Sequence, residues 1–162
     1  MRLVDVPPGS TLFLDTNIFI YHLTGTYATC AIVLDRARRR EVRLVTSASI
    51  VQEAHHRLMI GEAAQRFERH GRPLADWLKR HPELIRTLTQ KARLAELLRA
   101  CHIRVLPITH RLIREAHRLT DDLGLLTTDA LLIATMRAHG LTHLVSNDRD
   151  FLRVSGLTVW RP

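Results

Sequence analysis

Short apolar runs alternate along this chain with longer segments whose apolar positions recur at helical spacing. Thr11-Leu12-Phe13-Leu14 is an apolar run stopped by Asp15, and it reads as a buried strand. Ala28 to Arg40 places Ala28, Ala31, Ile32, Leu34 and Ala37 at helical spacing, and Arg38-Arg39-Arg40 would sit where a helix dipole favours cations. Val42–Val45 is a second strand. Ser49-Ile50-Val51-Gln52 has capping-box spacing and predicts a helix through about Leu58. From Gly61 to Ala100 no strand pattern occurs. Gly71-Arg72-Pro73 interrupts this stretch, and Pro82 opens a helix with Leu84, Ile85, Leu88, Ala92, Ala95 and Leu98 near one face. Ile103–Leu106 is a third strand, stopped by Pro107. Thr109 can cap a helix over His110–Leu123, which Gly124 ends. Thr127 or Thr128 can cap the next helix, Asp129–His139; it is apolar all round and so predicted to be buried. Leu141–Val145 and Leu157–Trp160 are strands four and five.

Strands alternating with helices argue for an α/β fold, a mostly parallel sheet of four to five strands covered on both faces. The 162 residues suit a single domain, 1–162, with a helical arm at about 61–100. No apolar run approaches the roughly 18 residues of a membrane span. The start of the chain lacks an apolar stretch of signal-peptide length, so a cytoplasmic protein is expected. Cys30 and Cys101 cannot build a disulfide framework.

The charge adds a second layer. The net charge is +8, and of the basic residues only Lys79 and Lys91 are lysine. Arginine binds phosphate through a bidentate fork, which suits a nucleic-acid partner; a genome-wide arginine bias gives the same count. Residues 61–100 hold nine basic and five acidic side chains, half of the excess.

Against this basic background, isolated acids stand at the ends of apolar strands. Asp15 follows strand one, and Asp148 follows strand four after Ser146 and Asn147. In an open parallel sheet, ligands collect beyond the C-terminal strand ends, where the strand order reverses. In the order 3-2-1-4-5, strands one and four are neighbours there, and Asp15 and Asp148 face each other. Glu53, on the helix after strand two, and Asp129, opening the apolar helix, can join them. Clustered carboxylates repel and raise one another's pKa, a penalty that a divalent cation removes. Oxygen donors select Mg2+ or Mn2+ over zinc. Such a centre suits phosphodiester hydrolysis, with the basic surface drawing in the polyanion.

Four segments, in order, resemble the motifs of the PIN-domain nucleases. They are Leu12-Phe13-Leu14-Asp15-Thr16-Asn17, Ser49-Ile50-Val51-Gln52-Glu53, Thr128-Asp129-Ala130-Leu131-Leu132-Ile133-Ala134 followed by Gly140, and Leu144-Val145-Ser146-Asn147-Asp148-Arg149-Asp150-Phe151. The likeness runs from about residue 11 to 160. It implies a three-layer α/β/α, Rossmann-like fold and a Mg2+- or Mn2+-dependent endoribonuclease. Asp15, Glu53, Asp129 and Asp148 become the catalytic, metal-binding acids, with Asp150 a secondary metal ligand. Thr16 or Asn17, and Asn147, become groups orienting water, metal or phosphate. Many small members resemble the VapC toxins of toxin–antitoxin pairs, which implies an antitoxin protein and a homodimer. The arm looks longer than in the compact toxins; it is expected to hold RNA backbone, to build a dimer or antitoxin groove, or simply to pack on the sheet.

Rival chemistries fit less well. Gln52-Glu53-Ala54-His55-His56 is not a His-Glu-x-x-His zinc motif, and the widely spaced glycines exclude a P-loop. A haloacid-dehalogenase-type phosphatase needs a carboxylate where Asn17 stands. The expected function is therefore an RNA-cleaving toxin. The alternatives are a PIN-like nuclease of RNA processing or decay without an antitoxin, a non-catalytic nucleic-acid-binding module, and a protein-binding partner.

Overall fold

Leu12, Phe13 and Leu14 of β1 (Thr11–Leu14) are all buried, as a strand covered on both faces requires. A computed structural model describes residues 1–69 and 71–162, with all side chains except those of residues 72 and 91. Its five strands are β1, β2 (Arg43–Ser47), β3 (Arg104–Leu106), β4 (His143–Val145) and β5 (Thr158–Trp160). They form one sheet in the order β3-β2-β1-β4-β5, parallel throughout. Leu14 pairs with Val145, so the residues after β1 and β4 emerge side by side.

Helices α1 (Thr16–Thr24), α2 (Ala28–Arg38), α3 (Ala48–Arg66) and α6 (Gln90–Ala100) pack on one another. Helices α7 (His110–Leu123) and α8 (Thr127–Ala138) form a separate pair. The sheet lies between the two groups, giving three layers. On α8, Ala130 and the run Leu132–Met136 are buried, as its all-round apolar pattern predicts.

Several elements depart from the sequence reading. Helix α1 is additional: its β-branched and aromatic residues are poor helix formers, but Ile18 and Phe19 are fully buried and Asp15 caps it. Gly25, at φ 73°, ends it in the left-handed conformation that glycine adopts without strain. Helix α2 stops at Arg38: Arg40 turns into the left-handed conformation at φ 60°, and Glu41 then pairs with Arg36 and Arg39. Ser47, not Ser49, caps α3 by accepting the Ile50 N–H, and the helix continues past Leu58 and Gly61 to Arg66. Neither Thr127 nor Thr128 caps α8; Leu126 stands at that position in extended conformation.

The helix expected from Pro82 to Leu98 is two helices, α5 (Pro82–Arg86) and α6, broken at Thr87–Thr89. Glu62 of α3 sits over the start of α6. Its carboxylate accepts the N–H groups of Thr89 and Gln90 and the Thr89 hydroxyl, at 2.8 to 3.0 Å. Leu88 turns inward there, joining Ala63, Leu74 and Leu78 in a small second core shared with α4 (Arg72–Lys79). Cys30 and Cys101 are free and buried, and burial pushes the Cys30 thiol up to about 11.

Candidate active site

The chain leaves β1 at Asp15, whose backbone N–H donates to the Val145 carbonyl at 3.1 Å and prolongs the β1–β4 ladder. One Asp15 carboxylate oxygen accepts the Thr16 N–H at 2.6 Å; the other accepts the Ser146 hydroxyl at 2.7 Å. The same Ser146 oxygen accepts the Asp148 N–H at 3.0 Å. A single buried hydroxyl thus fixes the ends of β1 and β4 to each other. Burial pushes the Asp15 carboxyl above its ordinary value. The bonds from Ser146 and Thr16 oppose that, while the charges of Glu53 and Asp148 add to it.

Glu53 reaches the same place from α3. The buried Thr16 hydroxyl donates to its carboxylate at 3.1 Å. Arg57, one turn along, lies 3.6 Å from the other Glu53 oxygen and donates to the Asn17 side-chain oxygen at 2.9 Å. Asp129 stands half-buried in the first turn of α8. Its carboxyl is pushed up to about 6, first by burial and then by the charges of Asp148, Asp15, Asp150 and Glu53. One acid therefore feels all four others, at the C-terminal edge of the sheet. Asp150 is exposed, 3.7 Å from Arg153, and its N–H donates to Asp148 at 2.8 Å. Asn147 faces away towards β5, where it accepts from Arg161 at 3.0 Å. A cleft of about 260 Å3 opens between α3 and the start of α8, with Glu53, His56 and Thr128 in its walls.

The sequence matches the model of the PIN domain family over residues 12–157. The chain belongs to the PIN-domain family. A curated relative, Ribonuclease VapC2 of Methanocaldococcus jannaschii, is 24% identical over 148 residues, covering 91% of both chains. Two similar structures share the fold. VapBC2 from Rickettsia felis bound to a promoter DNA fragment has a TM-score of 0.62 at 14% identity, over 94% of this chain and 98% of that one. A toxin–antitoxin complex from Klebsiella pneumoniae has a TM-score of 0.56 at 17% identity, over 91% and 95%. These matches span nearly all of both chains.

This PIN domain thus brings Asp15, Glu53, Asp129 and Asp148 into one electrostatic neighbourhood, with Thr16 and Asn17 beside them and Asp150 at the rim. Among the described residues, no three His, Cys, Asp or Glu side chains are grouped tightly enough to enclose an ion as they stand. The donor chemistry nevertheless fits a hard divalent ion. All the donors are carboxylate oxygens, and the charge on Asp129 is opposed by its neighbours rather than neutralised. Sequence reasoning missed Ser146 and Arg57 as contributors. A hydroxyl directly after an apolar strand was the available signal for Ser146. Arg57 had only its one-turn spacing from Glu53.

Proposed function

We propose that this chain is a divalent-metal-dependent endoribonuclease and the toxin of a toxin–antitoxin pair. The observation that carries this reading is the gathering of Asp15, Glu53, Asp129, Asp148 and Asp150 where β1 and β4 end side by side, so that burial and the charges of the other four push the Asp129 carboxyl up. Glu53 and Asp150 each have one arginine at long range, but Asp15, Asp129 and Asp148 have no cation within ion-pair distance among the described residues, which acids kept only for stability would need. Mg2+ or Mn2+ held among Asp15, Glu53, Asp129 and Asp148, with Asp150 at the rim, supplies Lewis acidity towards a phosphodiester.

The protein's own groups keep the acids in place. Ser146 and the Thr16 N–H hold Asp15 in a single rotamer. The Thr16 hydroxyl orients Glu53, and Asn17, whose side-chain oxygen is taken by Arg57, offers its amide N–H to water or phosphate; Asn147, held by Arg161, does not reach the centre. Arg57 shields Glu53 until a stronger cation arrives. The antitoxin part of the proposal draws its support from the similar chains, named as a VapC ribonuclease and as members of toxin–antitoxin complexes. In this reading the chain works as one unit on cytoplasmic RNA, as a homodimer, and the arm lies beside the groove.

The test is incubation of the purified protein with a mixed RNA pool in Mn2+, in EDTA, and as Asp15→Asn. Cleavage in Mn2+ alone, lost in the other two, supports the reading. Absence of both cleavage and Mn2+ binding ends it. Copurification with a small DNA-binding protein from a neighbouring reading frame, which silences cleavage, separates a toxin from a solitary RNA-processing nuclease.

A further inference from the structure

The other end of the α7–α8 pair carries the opposite charge. Arg111, Arg114 and Arg118 of α7 and Arg137 of α8 line one cleft of about 610 Å3. Arg111, Arg114 and Arg118 recur at helical spacing on one face, about 4.5 and 6 Å apart along the axis at 1.5 Å per residue. The sole acid in the wall, Glu115, lies 3.3 Å from Arg118. Among the described residues, Arg111, Arg114 and Arg137 have no carboxylate within ion-pair distance, and all three are exposed. Guanidiniums gathered around one space repel each other, and an apolar floor of Leu112 and Ala134 focuses their field outward.

We infer that this cleft is a second RNA contact, gripping the phosphate backbone of a stretch away from the bond that is cut. The chemistry favours backbone over bases. No Phe, Tyr or Trp lines the cleft for stacking, whereas guanidinium forks match phosphate oxygens. The geometry connects it to the acidic centre. Arg137 follows Asp129 by eight residues on one helix, roughly 12 Å along its axis. That is roughly three to four nucleotides of a strand rising at about 3.4 Å each. Substrate held at both ends of α8 is thus aligned before it is cut. The inference rests on the ribonuclease reading for its choice of polyanion.

The test is fluorescence anisotropy of a long single-stranded RNA in EDTA, where no cleavage consumes the probe. The protein carries R111E, R114E and R137E together, and circular dichroism melting verifies its fold. A matched triple reversal on the arm, R80E, R86E and R99E, controls for net charge. Loss of three phosphate contacts is expected to weaken binding at least about tenfold and to flatten the log–log salt slope by about 2. The arm variant is expected to fall by less, and the three arginine-to-lysine changes to restore most of the binding. Wild-type affinity should rise once the RNA exceeds roughly four nucleotides, and the cleft variant should lose that step. Equal losses in the cleft and arm variants, or an unchanged slope, overturn the inference. Displacement of the RNA by poly-glutamate at equal charge would reassign the cleft to an acidic protein segment. Tight RNA binding through the cleft, by a protein that neither cuts RNA nor binds Mn2+, would keep this inference and end the ribonuclease reading. Failure to bind any RNA would end both.

Discussion

Asp129 and Glu62 are carboxylates with opposite fates in one fold. Glu62 is partly buried, which alone would push it up, but the N–H groups of Gln90 and Thr89, the Thr89 hydroxyl and the charge of Arg66 bring it below its ordinary value. Asp129 has no such partners; burial and four like charges push it up to about 6. Glu62 stabilises the fold by being ionised, and Asp129 destabilises it by being ionised. The contrast separates an acid that helps build the fold from one whose environment opposes its charge, as the proposed metal centre requires, and it does so by physical environment rather than by position in the sequence.

Four experiments break or sharpen that contrast. The largest effect belongs to Asp15→Asn, which is expected to lower Mn2+-dependent cleavage by at least about 100-fold, the scale of losing a key electrostatic group. Its melting temperature should hold or rise, because one member of a repelling set is gone; a variant retaining most of the wild-type rate would take Asp15 out of the centre. Next, Mn2+ at about 100 times its dissociation constant should add about 2.7 kcal/mol of stability to the wild type and clearly less to Asp129→Asn. Equal gains would place the ion elsewhere.

Glu62→Ala comes third. It should cost about 1–2 kcal/mol through the start of α6, with turnover per folded molecule preserved. Denaturation curves and active-site-normalised rates read the two halves of that statement.

The smallest effect is in pH. Asp129, raised, contributes stability that is complete below its ordinary value of 3.8 and lost as pH climbs through about 6. Glu62, lowered, contributes stability that is present above its ordinary value of 4.5 and lost as pH falls below it. In EDTA the wild type should therefore melt lower at pH 7 than near pH 5, by about 1 kcal/mol or roughly 3 °C once solvent screening is allowed for. Asp129→Asn should shrink that decline to the part supplied by Asp15, which burial also raises, and leave the acid-side loss intact. An undiminished decline in the variant would show that Asp129 is not a source of it.

The sheet was legible because each strand is a short apolar run that stops on a polar or turn-forming residue, and local pattern carries that information. Asp15 and Asp148 were legible for the same reason, standing at or just past those stops; Glu53 and Asp129 lie in helices and were marked only by their order among the four motifs. What stayed hidden depends on partners distant in sequence. Gly61 reads as a breaker, yet α3 passes through it because Ala63 packs into the arm's small core. Leu88 fits the period of one long helix, but it serves that core while Glu62, far back in the chain, caps a new helix at Thr89. Helix α1 is disguised by strand-like residues that burial overrides. Ser146 acquires Asp15 as a partner only when β1 and β4 lie side by side.

Helix α3 runs unbroken from Ala48 to Arg66, with Glu53 beside the acidic centre and Glu62 in the arm. Nine residues of helix separate them, roughly 14 Å of stiff rod. Mechanically the rod is a lever with a carboxylate at each grip. Where Glu53 sits therefore depends on how the far end of the same rod is seated in the arm's small core.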